Sequence, residues 1–221
     1  MLRVHDMNQI AYDEAFVLQK QTVTRLQDRG GDESLFLLEH AHVITLGRNA
    51  KMDSLIAGDD LLRRRGVTVV ETDRGGDVTY HGPGQLVGYP VIRLEPGRRD
   101  IRRFVTDLEE ALLRTIDDFG IVGRRDAVHR GVWVKDRKIA SVGIRISRWV
   151  TCHGFALNVT TDLSYFTLIH PCGISGCQMT TIANETGSDI EMQAVKHAFV
   201  GHFCDVMDRK PDFQLIEEAH G

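Results

Sequence analysis

Three apolar segments follow one another through the middle of the chain with very little sequence between them. They cover residues 131–134, 138–146 and 149–159, and each has the composition and alternation of a β-strand. The short connections leave no room for a crossover, so neighbouring strands are expected to pair antiparallel. This predicted meander argues against a purely parallel sheet and is the feature that most restricts the possible folds.

Helical patterns lie on both sides of the meander. Residues 13–29, 100–119 and 188–207 carry apolar residues at helical spacing. Asp100 opens the second helix as an N-cap, and the four residues from Ser188 have the form of a capping box that would open the third.

Further strands are predicted at residues 34–39, 67–70 and 85–93. Strands and helices mixed in this irregular order indicate an α+β fold with a mixed or antiparallel sheet flanked by helices. We expect residues 1–221 to form one domain, with the helix and tail from about residue 187 as the part that could be a small appendage.

Charge and composition exclude several classes of protein. The net charge of -4 gives no general reason to bind nucleic acid, and the basic run at residues 63–65 is best explained as the end of a short helix. No stretch approaches the roughly 20 apolar residues that span a bilayer. We therefore expect a cytoplasmic protein that binds neither nucleic acid nor membrane, and whose four cysteines are free thiols.

A glycine-rich segment covers residues 74–85 and contains four glycines, one proline and several polar residues. We interpret it as one loop between strands, in which the backbone can approach a ligand closely. It matches neither the P-loop nor the Rossmann pattern, so a phosphate cradle of those kinds is not supported. A plain tight turn is the alternative.

Two strand segments carry residues that are unusual for a core. Strand alternation places Lys138 on the same face as Ala140 and Val142, where it either reaches back to water or lies partly buried beside an anion. Gly154 and Ala156 share one face of the next strand and leave room there. That room suits a bound apolar chain, although local packing or a bulge explains it equally well.

Cys172 stands between a proline and a glycine, which can present a thiol in an exposed and constrained turn. A lone cysteine is more often a small buried apolar residue, so reactivity requires a nearby cation or base. Lys138 is the candidate cation, and His81 and His170 are the candidate bases.

The remaining cysteines and the histidines carry weaker signals. Cys152, Cys177 and Cys204 are interpreted as structural. The histidines lack a zinc-hydrolase spacing, and no G-x-S-x-G elbow is present, so we expect neither a metal site nor a serine hydrolase.

Taken together, these segments resemble the lipoyl(octanoyl) transferase family over most of the chain. The tail beyond about residue 187 carries little of the signature. The motifs that carry the resemblance are Glu39-His40 through Thr45-Leu46-Gly47-Arg48, Arg74-Gly75-Gly76 through Thr79-Tyr80-His81 and Gly84-Gln85, Lys138-Ile139-Ala140 through Gly143, His153-Gly154 through Ala156-Leu157-Asn158, and Pro171-Cys172-Gly173-Ile174.

The resemblance implies a fold similar to the biotin and lipoate protein ligases and a transfer of an octanoyl or lipoyl group. It implies octanoyl-acyl carrier protein as donor and, as acceptors, a lysine of the lipoyl domains of 2-oxoacid dehydrogenase complexes and of the glycine cleavage H protein. It also implies that Cys172 is the acyl-thioester nucleophile, that Lys138 lowers its pKa, and that no cofactor is needed. We expect a monomer.

By the same resemblance, three segments contact the substrate. Ser141 and Val142 depart from the residues that many relatives have, as does the sequence before His153, and these changes bear on the shape of the pocket. The implied substrate-contacting residues are Arg74, Gly75, Gly76, Asp77, Val78, Thr79, Tyr80, His81, Ser141, Val142, Gly143, Gly154, Phe155 and Ala156.

Three other functions are compatible with these residues. An ATP-dependent lipoate ligase of the same fold would not need Cys172, and the proline-cysteine-glycine turn argues against it. A non-catalytic acyl-binding module would have no use for a Lys138–Cys172 pair. A cysteine hydrolase would use His81 or His170 as a base and would release its acyl group to water.

Overall fold

The computed structural model describes residues 1–170 and 177–212. Five α-helices are described: α1 Tyr12–Arg29, α2 Asp59–Arg64, α3 Ile101–Asp117, α4 Ile182–Thr186 and α5 Met192–Met207. Twelve strands are described: β1 Leu2–Gln9, β2 Glu33–Glu39, β3 Val43–Leu46, β4 Thr68–Glu71, β5 Val78–His81, β6 Gln85–Val91, β7 Arg124–Arg125, β8 Val132–Val134, β9 Arg137–Ser147, β10 Val150–Asn158, β11 Gln178–Met179 and β12 Pro211–Asp212.

Nine of the strands form one large mixed sheet. Its order is β12-β1-β2-β6-β10-β9-β8-β7, and β11 joins β9 off this path. The pairs of β1 with β2, β1 with β12 and β11 with β9 are parallel, whereas the central strands from β2 to β7 pair antiparallel. The predicted α+β class is confirmed.

Helices cover both faces of the large sheet because successive side chains of a strand point to opposite faces. In β2, Leu35 and Leu37 belong to the core that includes α3 and α5, whereas Phe36 and Leu38 belong to the core that includes α1. Burial of both faces explains why β2 is an uninterrupted apolar run.

A second, three-stranded sheet lies beside the large one, in the order β4-β3-β5. It packs with α2 and with the 3₁₀ segment Leu163–Leu168 around a separate apolar cluster that includes Ile44, Leu62, Tyr80 and Phe166. Strand β5 lies within the glycine-rich segment, so the interpretation of residues 74–85 as one loop was wrong for Val78–His81. The alternation of Val, Thr, Tyr and His there follows strand periodicity.

The helix ends agree with expectation at α3 but not at α5. The Asp100 carboxylate accepts from the backbone N–H groups of Arg102 and Arg103, as an N-cap does. The capping box predicted from Ser188 does not form. Instead, Gly187 closes α4 in the left-handed conformation, and α5 begins only at Met192.

The C-terminal part of the described chain packs into the main body. Val195, Phe199 and Phe203 of α5 are fully buried in the same cluster as α3, and β12 pairs with β1. Burial of these three side chains ties α5 to the large sheet. No described helix has the length and apolar character needed to cross a bilayer.

Candidate functional site

A cavity of about 470 Å³ lies where the glycine-rich segment meets β9 and β10. It brings together Lys138 and thirteen of the fourteen residues expected to contact substrate. Those thirteen are Arg74, Gly75, Gly76, Asp77, Val78, Thr79, His81, Ser141, Val142, Gly143, Gly154, Phe155 and Ala156.

Tyr80 is the exception, because its side chain packs into the apolar cluster of the smaller sheet. Its side chain is fully buried in the cluster of the smaller sheet, stacks on Tyr165 and hydrogen-bonds the His42 Nδ1 at 2.8 Å. Tyr80 therefore supports the sheet behind the cavity, and the structure does not place it among the lining residues.

Arg74 forms one wall of the cavity and is itself buried. Its guanidinium donates to the Thr45 carbonyl at 2.7 Å and to the Thr45 Oγ1 at 2.9 and 3.1 Å. It also donates to the Gly75 carbonyl at 3.1 Å. These bonds fix the start of the glycine-rich segment to β3 and keep a cation at the cavity wall.

The glycines at this wall permit a close approach of two backbones. The Gly75 N–H donates to the Ile144 carbonyl of β9 at 3.0 Å, and a Cβ on Gly143 would lie only 2.8 Å from the Gly75 oxygen. The glycines were expected to let the backbone approach a ligand closely. Here they allow the glycine-rich segment to lie close to the backbone of β9.

Lys138 lines the cavity with only 1% of its surface exposed. Its Nζ lies 5.4 Å from the centre of the Trp133 ring. The alternative in which this lysine reaches back to bulk water is therefore excluded. A cation held under a ring and against a cavity is well placed to act on a bound anion.

Strand alternation alone did not predict correctly which residues share a face with Lys138. The pairing of β8 with β9 shifts by one residue between Val132 and Trp133, so the alternation is interrupted between Ala140 and Lys138. Ile139 and Ala140 both lie in the core with α3, whereas Lys138 lines the cavity.

His81 is a neutral histidine within a buried hydrogen-bond chain. Burial, followed by the positive charges and histidines around it, lowers the pKa of His81 to about 3. Its Nδ1 donates to the Gln85 Oε1 at 2.8 Å, and its Nε2 faces the Thr45 Oγ1 at 3.5 Å. Both ring nitrogens are thus turned toward the protein.

His153 also lines the cavity, and the sequence analysis did not single it out as a site residue. Its Nε2 donates to the Asp73 Oδ1 at 2.7 Å, while Arg145 donates to the other Asp73 oxygen at 2.5 Å. Burial lowers the pKa of His153 despite the Asp73 contact. Burial would raise the pKa of Asp73, but the His153 bond and nearby cations lower it overall. The pair is therefore a neutral imidazole on a carboxylate.

Several lining residues came from segments without a sequence signal. Tyr12 and Tyr89 resemble ordinary core aromatics, and Asn49 and Lys51 directly follow a quoted motif. Val128, His129 and Arg130 form a further wall from the connection before β8, with Val128 78% exposed. These three residues carry no sequence signal, and they are recognised as lining residues only because the fold brings them to the cavity.

Cys172 lies outside the described residues, so the structure gives no geometry for it. The described residues on either side are held by the protein: the His170 N–H donates to the Ser54 carbonyl at 2.8 Å, and Gln178 and Met179 pair with Arg137 and Lys138. Burial raises the pKa of both the Cys152 and Cys204 thiols to about 11, which agrees with their interpretation as structural residues.

The site combines an open-sided cavity with two buried cations, Arg74 and Lys138, and with small residues at Gly154 and Ala156. Such a space suits an apolar chain that ends in a polar, reacting group. Arg74 and Lys138 are charged donors of the kind that can stabilise a developing negative charge.

Comparisons with known proteins agree with this description. A family model described as the lipoyl protein ligase A/B catalytic domain matches residues 11–204. An octanoyltransferase of Solibacter usitatus (strain Ellin6076) is 46% identical over 216 residues, which cover 98% of this chain and 96% of the relative.

The fold is similar to solved structures of two related kinds. Lipoate-protein ligase A bound with ATP has a TM-score of 0.77 at 14% identity, and the match covers 99% of this chain and 92% of that one. A biotin protein ligase of Aquifex aeolicus has a TM-score of 0.52 at 10% identity, covering 94% and 69%. These matches confirm the expected architecture.

Proposed function

The chain belongs to the lipoyl protein ligase A/B catalytic domain family as an octanoyltransferase, and on this premise we propose that Cys172 carries the octanoyl group as a thioester beside Lys138. We propose that residues 1–221 form one catalytic domain that acts as a monomer in the cytoplasm. The remaining steps follow from the cavity and the residues on either side of Cys172.

The observation that carries this proposal is the position of Lys138. Its ammonium group is buried at the cavity, and its strand pairs with β11, the strand that follows Cys172 in the chain. A thiolate next to a buried ammonium is stabilised by the opposite charge, which lowers the cysteine pKa and makes it a nucleophile.

Chain length supports the pairing. Cys172 follows His170 by two residues, so its Cα lies within about 7 Å of the His170 Cα even in a fully extended chain. The His170 N–H is bonded to Ser54, which closes the short 3₁₀ segment after the cavity residue Lys51. The backbone at His170 is thus bonded to the short segment that follows a cavity residue.

In the first half-reaction, the Cys172 thiolate attacks the carbonyl carbon of the octanoyl thioester on the donor. A new bond forms between that carbon and Cys172, the bond to the donor sulfur breaks, and the donor leaves as a thiolate that takes up a proton. One thioester replaces another, so the step needs no ATP.

In the second half-reaction, the amine of the acceptor lysine attacks the Cys172 thioester. A carbon–nitrogen bond forms, the bond to Cys172 breaks, and the amine must lose a proton. Acylation removes the thiolate beside the Lys138 ammonium, so we propose that Lys138 gives its proton to the departing donor thiolate and that the resulting Lys138 amine then takes the proton of the attacking amine. Cys172 leaves as a thiolate, which restores the starting ion pair. Arg74 remains charged throughout, because a guanidinium does not deprotonate in the working range.

The partners belong to the same proposal. The donor is octanoyl-acyl carrier protein, and the acceptors are lipoyl domains of 2-oxoacid dehydrogenase complexes and the glycine cleavage H protein. Support comes from the octanoyltransferase name of the Solibacter relative and from a cavity with space for an apolar chain.

The test is an intact-mass experiment without ATP. Wild type, Cys172→Ser and Lys138→Arg are each incubated with octanoyl-acyl carrier protein, and masses are recorded before and after hydroxylamine. We expect an octanoyl adduct on wild type that maps to Cys172, is cleaved by hydroxylamine and disappears when a lipoyl domain is added. Cys172→Ser should show no hydroxylamine-labile adduct.

Lys138→Arg separates the two roles of Lys138, since arginine keeps the positive charge but cannot accept a proton. We expect it to form the adduct and to discharge it to the lipoyl domain at least about 100-fold more slowly, the lower end of general-base contributions. Full transfer by Lys138→Arg would rule out the base. Transfer by wild type only from free octanoate and ATP would indicate the ligase reaction instead.

A further inference from the structure

Gln85 and Asn158 belong to the motifs quoted above, yet neither lines the cavity. Both are 1% exposed. Gln85 begins β6 and Asn158 ends β10, and the two residues are directly opposite each other in the antiparallel pair. A buried amide pair at this position requires partners for all its polar atoms.

The hydrogen bonds of the pair have a fixed direction, because two backbone carbonyls can only accept. The Asn158 Nδ2 donates to the Thr180 carbonyl at 3.1 Å, which leaves its Oδ1 as the acceptor for the Gln85 Nε2 at 2.9 Å. Gln85 Nε2 also donates to the Tyr80 carbonyl at 3.2 Å. Its Oε1 therefore accepts from His81.

One end of this chain of bonds reaches the cavity wall. From His81 it continues to Thr45 and from Thr45 to the Arg74 guanidinium. The Asn158–Gln85 pair thus connects to the segment that carries Arg74. Each member is buried, so its bonds do not compete with water.

The other end fixes the strand beside Lys138. Thr180 directly follows β11, and its N–H donates to the Lys138 carbonyl at 2.9 Å while its own carbonyl accepts from Asn158. Both backbone groups of Thr180 are therefore used. Asn158 is the side chain that ties the Thr180 peptide to the centre of the large sheet.

We propose that Asn158 is a positioning residue for the transfer reaction: by holding the Thr180 carbonyl, it keeps β11 in register beside Lys138. The importance of this register for reactivity rests on the proposed role of Lys138. Asn158 is not among the residues that line the cavity, so it acts through the placement of β11 beside Lys138.

Two variants test the bond to Thr180. Asn158→Leu removes both amide functions at similar side-chain size. Asn158→Asp keeps an acceptor for Gln85 and replaces the donor to Thr180 with a carboxylate oxygen, which cannot donate while it is ionised, so it provides a second variant if the leucine variant does not fold. The matched control is Thr161→Val, which removes another buried side-chain bond, from Thr161 Oγ1 to the Gly84 carbonyl at 3.0 Å, near the same end of β10.

The first readout is amide hydrogen exchange at Thr180, which needs no assumption about the chemistry. We expect exchange about 10-fold faster in both Asn158 variants than in wild type, because losing one buried hydrogen bond has about that effect on local opening. Thr161→Val should leave Thr180 exchange unchanged. Equal exchange in the Asn158 variants and the control would overturn the inference.

The second readout is the pH dependence of Cys172 alkylation by iodoacetamide, with the acylation rate from octanoyl-acyl carrier protein measured alongside. Wild type should react with a midpoint below the ordinary thiol value of about 8.5. In the Asn158 variants we expect the midpoint to rise by about one pH unit and acylation to slow about 10- to 100-fold, as for a small misplacement of reacting groups.

Lys138→Met separates this inference from the proposed function. If Lys138→Met raises the alkylation midpoint and the Asn158 variants do not, the positioning role is refuted and the role of Lys138 stands. If Lys138→Met leaves the midpoint unchanged, the proposed role of Lys138 is refuted, and with it any effect of Asn158 on reactivity. Faster exchange at Thr180 would then still show that Asn158 fixes β11.

Discussion

At the scale of single residues, the walls around the cavity depend on histidines that are buried and neutral. Burial lowers the pKa of His40 to about 4 and that of His81 to about 3. The His40 Nδ1 donates to the Ile10 carbonyl at 2.8 Å, so its Nε2 accepts from the Tyr89 hydroxyl at 2.8 Å. Each ring therefore bridges two groups as a neutral imidazole, and burial opposes its protonation.

These histidines make stability depend on pH. Because their folded pKa values lie below the unfolded value of about 6.5, the unfolded chain binds more protons, and stability is lost as pH falls from about 6.5. Each histidine should lower the free energy of unfolding by about 1 kcal/mol per pH unit between pH 6 and 5. Urea denaturation at both pH values measures this slope. His81→Gln should reduce the slope by about 1 kcal/mol per pH unit, and an unchanged slope would contradict the assignment.

At the scale of elements, the floor of the cavity depends on how closely β10 approaches β6. A Cβ on Gly154 would lie 2.0 Å from the Gly88 carbonyl oxygen and 2.7 Å from the Pro90 ring. The ring of Phe155 lies over Gly88, where a Cβ would meet it at 2.1 Å. The sequence predicted that Gly154 leaves room on the sheet. The structure shows a second reason for the glycine, which is the close contact of two strands.

Gly154→Ala should therefore destabilise the protein, because the contact is with backbone that cannot rotate away. We expect a loss of about 1–3 kcal/mol, the usual range for overpacking, and weaker retention of an octanoyl group in the cavity. Gly201→Ala is the control, since Gly201 lies within α5 with no neighbouring atom near its Cβ position. That change should stabilise the protein by about 0.5–1 kcal/mol. Thermal unfolding of both variants measures the difference, and equal behaviour would contradict the steric argument.

At the scale of the whole molecule, the sequence predicted what depends on local patterns. The meander of β8, β9 and β10 and the helices α1 and α3 were found where they were expected. The grouping of Arg74 with Lys138 was implied by the family resemblance and not by a local pattern, and both residues line the cavity. The wall at Val128 was not predicted, because it is brought to the cavity by the fold and carries no pattern of its own. The bulge near Lys138 and the burial of Tyr80 away from the cavity depend likewise on pairing between strands.

The same long-range packing places α5 behind the cavity. Phe155 is a cavity residue of β10, but strand alternation directs its ring to the face opposite Gly154 and Ala156, where it packs against Phe199 of α5 with ring centres 4.3 Å apart. Phe203 follows one turn later on the same buried side of α5, with its ring centre 5.6 Å from that of Phe199. The Phe199 ring therefore packs directly on the ring of Phe155, whereas the Phe203 ring packs on that of Phe199.

This arrangement predicts that a core substitution far from the reacting groups changes chain-length preference. Phe199→Ala should cost about 3–5 kcal/mol and leave space behind the Phe155 ring, so that β10 can move away from the cavity and deepen it. We expect the ratio of dodecanoyl to octanoyl transfer to rise about 10-fold, within the range for a few methylene groups in an apolar pocket. Phe203→Ala should cost a similar amount of stability without changing the ratio. The ratio is measured from the rates of transfer from dodecanoyl- and octanoyl-acyl carrier protein. An equal shift in both variants would mean that chain length responds to general loosening of the core, and no shift in either would mean that Phe155 does not limit the depth of the cavity.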